Sequence, residues 1–172
     1  MRAIFKLPSR VLCSARADLG RKRPFAYERV GFLTAGASFL KDATLLLLGR
    51  EYRPIEDDDY IRTREVGAMI GPDAMRKGLQ HAYKTKSALF HIHTHGGRGR
   101  PGFSSVDLAD APNFVPSFFN AIPASPHGVI VLSDDSARGL IWISPTEQPT
   151  YIDGFVQVGA PLLKFGGNDG PL

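Results

Sequence analysis

Cysteine is nearly absent from the sequence, and this restricts the metal chemistry open to the protein. Cys13 is the only cysteine among the 172 residues, so neither a disulfide framework nor a thiolate-bound zinc is available. Any bound metal must therefore be held by nitrogen and oxygen atoms. Cys13 lies in a strand-like segment with no histidine nearby, which predicts a buried structural thiol rather than a nucleophile.

Long hydrophobic runs are also missing. The most apolar run, residues 43–49, is interrupted by Thr44 and falls far short of the roughly 20 residues that a membrane-spanning helix needs. The opening residues, MRAIFKLP, lack the apolar core of a secretory signal. We therefore expect a soluble cytoplasmic protein with no membrane association.

Positive charge is unevenly distributed along the chain. The net charge is +4 at pH 7, and basic residues are concentrated between positions 16 and 23 and at Arg98 and Arg100. A solvated basic surface is the simplest interpretation. The alternative is that Arg98 and Arg100 steer an acidic partner or bind a carboxylate. No basic stretch is interleaved with aromatic residues, so a nucleic acid partner is not expected.

The length and composition predict a single domain. A chain of 172 residues with 43% hydrophobic and 22% charged residues is long enough for one substantial core and short for two. Strand-like and helix-like segments are interspersed, which predicts an α/β or α+β fold with a mixed sheet covered by helices. The domain is expected to span residues 1–160, followed by a flexible tail at 161–172.

The individual elements follow from the apolar and turn patterns. A Gly-Pro-Asp sequence opens one helix, and prolines at 112 and 116 argue against the later half of another. A turn at residues 134–138 joins two strands into a hairpin. The predicted strands are 1–13, 28–33, 42–52, 89–95, 128–133, 139–144 and 151–158, with helices at 15–26, 72–85 and 105–120.

The segment 91–107, HIHTHGGRGRPGFSSVD, carries the clearest functional signal. It ends a predicted strand, where residues two apart point to the same face, so His93 and His95 can reach one point in space. A loop rich in glycine and arginine then returns the chain to Asp107, in the first turn of the next helix. Two histidines and a carboxylate suit a catalytic zinc, which keeps a fourth position for water.

Neighbouring polar residues have competing interpretations. His91 lies on the same strand face and could replace either zinc-binding histidine, although packing or support of a ligand is the favoured role. Ser104 could cap the following helix, a role for which Ser105 competes. His81 and His127 have no evident partner and are expected on the surface.

A hydrolytic site also needs a carboxylate that moves a proton, and four glutamates precede the histidines. Glu56 lies in an acidic run that is expected to be solvated, and Glu51 follows a strand at its exposed-looking end. Glu28 and Glu65 each precede a glycine-containing apolar segment, ERVGFL and EVGAMI. Residue chemistry alone leaves the choice between these two open.

Taken together, these motifs resemble the JAMM metallopeptidase signature of the JAB/MPN domain family, and the order of elements agrees over nearly the whole chain. The signature is a glutamate, a distant His-Ser/Thr-His and a Ser-x-x-Asp after a short loop. The matching residues are Glu28, His93-Thr94-His95, Ser104 and Asp107. Two details depart from the pattern: the loop after His95 is one residue longer than usual, and Gly96 replaces the usual proline.

The resemblance implies a role for each matching residue. The implied zinc ligands are His93, His95 and Asp107. Glu28 would act as general acid and base through a water molecule, and Ser104 would hydrogen-bond the developing oxyanion. Glu28 is preferred to Glu65 because family members place both a strand and a helix between the glutamate and the histidines.

The resemblance also implies a fold and an activity. The fold would be a mixed, mostly antiparallel sheet between helices, as in cytidine deaminases. The activity would be that of a zinc isopeptidase or peptidase that cleaves after the C-terminal glycine of a ubiquitin-like protein. Small free-standing bacterial members, some in antiviral defence operons, have this size. The alternatives are a non-catalytic scaffold module and a zinc hydrolase that acts on another small amide.

Two further segments are candidates for contact with such a partner. Residues 112–126 are rich in phenylalanine and proline and could either bind an apolar patch or pack into the core. Residues 53–62 carry an acidic cluster and could form a flap over a basic tail.

Overall fold

A mixed β-sheet with helices on both faces forms the framework of the protein. The computed structural model describes residues 1–22, 26–62 and 67–167. Within these ranges no helix is both long and apolar enough to cross a membrane. The helices are α1 (Ser9–Leu19), α2 (Pro72–Thr85) and α3 (Ser105–Ala121). The strands are β1 (Arg2–Pro8), β2 (Val30–Phe39), β3 (Thr44–Pro54), β4 (Tyr60–Ile61), β5 (Met69–Ile70), β6 (Ala88–Thr94), β7 (His127–Leu132), β8 (Ala137–Trp142), β9 (Thr150–Tyr151), β10 (Gly154–Val158) and β11 (Leu163–Gly167).

Nine of these strands form one sheet in the order β11-β10-β1-β3-β2-β6-β7-β8-β9, and β4 pairs separately with β5. Five neighbouring pairs of the large sheet are antiparallel, and three are parallel. The sheet curls until β11 meets the start of β8, where Gly166 leaves no room for a side chain against the backbone of Ala137. The expectation of a mixed, mostly antiparallel sheet covered by helices is confirmed.

The two faces of the sheet are buried by different helices. On one face, Leu12 and Leu19 of α1 pack in a cluster with Phe5 of β1 and Phe90 of β6. On the opposite face, α2 and α3 pack over a second cluster that includes Phe32, Phe118 and Trp142. Both clusters are built from alternate strand residues, as expected of a sheet that is covered on both sides.

The alternation along β6 determines where its histidines lie. Phe90 and Ile92 belong to the cluster beneath α1. Because successive side chains of a strand point to opposite faces, His91 and His93 point to the face covered by α2 and α3. The fold therefore brings these histidines to the side of the sheet where α3 begins.

The N-terminal elements differ from the prediction. The first strand ends at Pro8, and α1 begins at Ser9 instead of continuing the strand to residue 13. Cys13 is exposed on this helix, so the predicted buried thiol is wrong. The physical reason is periodicity: the buried residues of α1 recur with helical spacing, which the strand interpretation overlooked. These residues are Val11, Leu12, Ala15, Asp18 and Leu19.

Helix α3 is longer and more regular than its two prolines suggested. It runs without interruption through Pro112 and Pro116 to Ala121. Val115 and Phe118 on its inner side are fully buried, and this packing against the sheet offsets the lost backbone hydrogen bonds. Most apolar residues of the segment 112–126 are thus part of the core.

The C-terminal part of the chain also departs from the prediction. Residues 151–158 contain parts of two strands, β9 and β10, rather than one. The segment expected to be a flexible tail forms β11, which pairs antiparallel with β10, so the tail prediction is wrong for residues 163–167. Residues 168–172 lie outside the described part of the chain.

Two histidines that were expected on the surface have defined partners. His127 is fully buried. Its Nδ1 accepts a hydrogen bond from the Leu89 N–H at 3.0 Å, and its Nε2 lies 2.9 Å from the Ile122 carbonyl oxygen. His81 Nε2 lies 2.9 Å from a carboxylate oxygen of Glu51. The surface prediction is wrong for His127, whereas His81 stays partly exposed. The expected lack of a partner is wrong for both, because each partner comes from a distant part of the sequence.

The contacts of His127 predict its protonation state. An Nδ1 that accepts and an Nε2 that faces a carbonyl require the neutral Nε2–H tautomer, and burial lowers the pKa of His127 below its ordinary value. Stability linked to this group is therefore lost as pH falls below about 6.5. Long-range ¹H–¹⁵N NMR across a pH series is expected to show the Nε2–H tautomer at neutral pH and protonation at a lower pH than in free histidine. Protonation at or above the pH of free histidine would contradict this assignment.

Candidate metal centre

Four side chains from separate parts of the sequence meet at one end of β6. His93 belongs to β6 and His95 follows it directly, Asp107 lies in the first turn of α3, and Glu28 precedes β2. The pairing of β2 with β6 explains the approach of Glu28. Val30 is opposite His93 in this antiparallel pair, so the same register continued by two residues brings Glu28 opposite His95. The Glu28 Oε1 atom lies 3.7 Å from His95 Nε2.

The distances among three of these residues fit a tetrahedral metal ion. The two Nε2 atoms of His93 and His95 are 3.1 Å apart. Asp107 Oδ1 lies 3.4 Å from His93 Nε2, and Asp107 Oδ2 lies 3.5 Å from His95 Nε2. Ligand atoms about 2.0–2.2 Å from a tetrahedral zinc would be about 3.3–3.6 Å from one another. The two histidine–aspartate distances lie in this range, and the two Nε2 atoms are slightly closer than it.

Glu28 offers an overlapping set of ligand atoms. One ligand atom from each of Glu28, His93 and His95 lies within 4.8 Å of the others. The carboxylates of Glu28 and Asp107 thus approach the same pair of histidines. The donor set contains only nitrogen and oxygen, as the lack of nearby cysteine requires. Such a set suits zinc but is not specific for it.

Ser104 fixes the orientation of Asp107 through a capping box. The Ser104 backbone N–H and hydroxyl donate to Asp107 Oδ2 at 2.7 and 2.8 Å. The Asp107 backbone N–H donates in return to Ser104 Oγ at 3.1 Å. Ser104 is therefore the N-cap of α3, and Ser105 is its first helical residue. The capping box therefore begins α3 and also orients the Asp107 carboxylate toward the histidines.

The surroundings of Asp107 favour its charged form. Burial raises the pKa of Asp107, but the hydrogen bond and charge of His93, together with the hydrogen bonds from Ser104, outweigh burial and hold that pKa below its usual range. The helix N-terminus also favours a negative charge at this position. Asp107 is therefore ionised at neutral pH.

The backbone of Glu28 is held by the segment that precedes β5. The N–H groups of Tyr27 and Glu28 both donate to the Gly67 carbonyl oxygen, at 2.8 and 2.9 Å. Gly67 also packs directly on the Glu28 side chain, because a Cβ atom at this position would lie 2.7 Å from Glu28 Oε2. Glu65, the alternative proton carrier, lies outside the described residues. The glycine of its motif, Gly67, supports Glu28.

Sequence reasoning missed Arg29, which anchors the chain beside Glu28. Arg29 is fully buried, forms an ion pair with Asp57 and lies 3.9 Å from Asp18 of α1. Tyr52 donates to the same Asp18 at 2.6 Å, and burial together with this bond raises the pKa of Tyr52 well above its usual value. The sequence signal that could have revealed it is an arginine within the apolar strand sequence ERVGFL, since a buried arginine needs charged partners.

Tyr60 completes the support of this segment. Its hydroxyl accepts from the Val30 N–H and donates to the Val30 carbonyl, each at 2.9 Å. The acidic segment around it is engaged within the protein, since Asp57 pairs with Arg29 and Asp59 with Lys77 at 2.6 Å. Two of the acids in the predicted flap at 53–62 thus form ion pairs within the protein, and the pair made by Asp57 lies beside Glu28.

His91 occupies a packing position next to the centre. Its ring makes edge contacts with Phe32 and Phe114, with centroids 6.1 and 5.4 Å apart. Burial, followed by the charge of His93, lowers the pKa of His91 to about 3. The neutral ring of His91 therefore belongs to the apolar surroundings of His93.

Three glycines shape the loop between His95 and Ser104. Gly96, Gly97 and Gly99 all have positive φ angles, a conformation that glycine adopts without strain. The β7–β8 turn holds the loop, since Asp135 accepts from the Gly99 N–H at 2.7 Å and from Arg98 Nε at 3.3 Å. Arg98 itself remains largely exposed.

A cleft of about 610 Å³ opens beside these residues. It lies between the start of α3 and the segment that contains β5, and Met75 of α2 and Phe114 of α3 are among its walls. Glu28, His93, Ser104 and Asp107 all line it. The candidate centre is therefore accessible to a substrate from this side.

The comparisons with known proteins do not identify a family. No family model and no curated protein matches the sequence. Among solved structures, the STIL N-terminal domain of Trichoplax adhaerens is similar to this chain with a TM-score of 0.39 and 9% sequence identity. The match covers 78% of this chain and 40% of that chain. The description of the site therefore rests on its own geometry.

The capping box predicts different effects for two adjacent serines. Ser104→Ala is expected to lower the free energy of unfolding by about 1 kcal/mol through loss of the N-cap, and to weaken zinc binding about 10-fold or more through loss of support for Asp107. Ser105→Ala is the matched control, because that residue is exposed and does not cap the helix. Chemical denaturation and zinc titration measure both effects; equal behaviour of the two variants would contradict this role of Ser104.

Proposed function

We propose that this protein is a zinc-dependent peptidase of the JAB/MPN type that hydrolyses the amide or isopeptide bond after the C-terminal glycine of a ubiquitin-like protein. The observation that carries the proposal is that the carboxylates of Glu28 and Asp107 both approach the paired imidazoles of His93 and His95. These residues appear along the chain in the order of the JAMM signature, although they come from three separate segments.

The chain's own residues suggest how a zinc ion would be held and used. His93, His95 and Asp107 would bind it, and their mutual distances fit this role. When bound, zinc would polarise the scissile carbonyl and lower the pKa of a water molecule toward about 7. The open cleft leaves room for substrate on the side of Glu28 and Asp107.

Glu28 would move the proton that hydrolysis requires. Its carboxylate would accept a proton from the attacking water while the hydroxide oxygen bonds to the carbonyl carbon. The same carboxylate would then deliver that proton to the leaving nitrogen as the C–N bond breaks. The close packing of Gly67 and the two backbone hydrogen bonds at Tyr27 and Glu28 support this role, because they restrict where the carboxylate can lie.

Ser104 would act mainly by positioning Asp107. A serine hydroxyl has one proton to donate, and that of Ser104 already goes to Asp107. Donation to an oxyanion would require this bond to be exchanged for one to the substrate. Because Ser104 lines the cleft and is exposed, such an exchange is sterically open.

The proton-carrier role is tested by Glu28→Gln in the zinc-loaded protein. We expect hydrolysis of a peptide with a Gly-Gly-aminocoumarin amide to fall by about 100-fold or more, with zinc content unchanged, since the substitution removes the proton acceptor while preserving shape. Unchanged turnover by Glu28→Gln would refute the assignment of Glu28. A zinc-loaded native protein that cleaves no Gly-Gly amide would refute the proposed substrate class.

A second pair of variants tests the position of Glu28 rather than its charge. Gly67→Ala introduces a Cβ atom 2.7 Å from Glu28 Oε2 and is expected to lower turnover while zinc binding persists. Gly102→Ala is the control, because a Cβ atom there meets nothing within 4 Å. Equal turnover of the two variants would show that the Gly67 contact does not position the carboxylate.

A further inference from the structure

The cleft beside the metal centre is larger and more apolar than a glycine tail requires. Its volume is about 610 Å³, within the range of pockets that bury whole small ligands. Apolar side chains dominate its wall, including Val30, Met69, Ile70, Met75 and Phe114. Glycine has no side chain with which to fill such a space, so a tail of glycines would leave this surface without a partner.

The charges around the cleft indicate which half of the substrate lies there. Its acidic side chains are Glu28, Asp107 and Asp110, and none of the described lining residues is a lysine or arginine. Asp110 is exposed one helical turn beyond Asp107 and is not among the implied zinc ligands. A zinc ion held by Asp107 would offset part of this negative charge and attract the new carboxylate. Asp110, which would not bind the ion, is then placed to attract the new amine, which is released as an ammonium ion.

Both observations favour the leaving side of the scissile bond. On the acyl side the proposed function places a glycine, which has no side chain to pack against the apolar residues of the cleft. On the leaving side a linear peptide presents the side chain of the next residue close to the scissile nitrogen. An isopeptide bond instead presents the unbranched methylene arm of a lysine.

We propose that this cleft binds a bulky apolar side chain on the residue that follows the scissile bond. The preferred substrates are then linear Gly–X amides in which X is leucine, methionine or phenylalanine, which corresponds to processing of a precursor rather than removal from a lysine. This inference rests on the proposed function for the chemistry and on the cleft alone for the specificity.

The specificity is tested with the zinc-loaded protein and a peptide series in which only residue X after a Gly-Gly sequence changes. We expect kcat/KM to be about 10- to 100-fold higher for leucine, methionine or phenylalanine than for glycine, from burial of one side chain. A matched peptide joined through a lysine Nε is expected to react no faster than the glycine peptide. Equal or faster cleavage of the glycine or lysine-linked peptide would overturn the inference and leave the proposed function standing.

A matched pair of variants tests whether the cleft causes the preference for an apolar residue X. Ala68 lines the cleft and is partly buried, whereas Ala109 is exposed on α3 and does not line it. Ala68→Leu is expected to reduce the leucine-over-glycine ratio about 10-fold by filling the space. Ala109→Leu is expected to keep the native ratio. An unchanged ratio in Ala68→Leu would contradict this location of the specificity.

Direct binding separates failure of the specificity from failure of the function. The chain has three methionines, of which Met69 and Met75 line the cleft and Met1 does not. In methyl-labelled protein, leucinamide is expected to shift the NMR signals of Met69 and Met75 but not of Met1, and glycinamide is expected to shift none.

The combined outcomes are distinct. Selective shifts without cleavage of any peptide would support the apolar cleft and reject the peptidase function. Cleavage with no shift and no preference among peptides would reject the cleft and retain the function. If neither NMR shifts nor peptide cleavage is observed, both the apolar cleft and the peptidase function are rejected.

Discussion

The antiparallel pairing of β2 with β6 is the constraint on which the candidate centre depends. This register sets Val30 opposite His93 and so brings Glu28 beside His95 at the end of the pair. A slip by one residue would turn every side chain of β2 to the other face and would separate the glutamate from the histidines. The buried alternation of both strands fixes the register, because each face packs against its own helices.

The protein uses a buried polar network to hold the chain just before β2. Arg29 connects Glu28 to α1 and to the turn at Asp57, while Gly67 and Tyr60 bind the backbone on either side of it. Loss of one partner from such a network leaves a buried charge or an unpaired polar group. The segment that carries Glu28 is therefore held by several contacts even though no regular element contains it.

Local patterns predicted the meeting of His93, His95 and Asp107 better than the rest of the site. The H-x-H spacing on a strand and the Ser-x-x-Asp cap are short-range features, so the sequence alone could indicate that His93, His95 and Asp107 meet. The placement of Glu28 needed the family resemblance, since its proximity depends on strand pairing across more than 60 residues.

The wrong predictions have two physical causes: contacts between residues that are distant in sequence, and a helical repeat that was interpreted as a strand. The burial of His127 depends on Leu89 and Ile122, and β11 is ordered by pairing with β10, neither of which a local pattern reveals. Cys13 was misplaced because a helical repeat of apolar residues was taken for a strand. The apolar cleft likewise has no sequence motif, because its walls come from the sheet, α2, α3 and the β5 segment.

The central claim is that His93, His95 and Asp107 form a zinc site, and zinc-edge X-ray absorption on the purified protein tests it most directly. The account predicts one zinc ion per chain, bound by two imidazole nitrogens and by oxygen at about 2.0–2.2 Å, with this signal lost in His95→Ala. A protein that retains no zinc after dialysis against zinc-containing buffer, or whose zinc lacks imidazole ligands, would contradict the account.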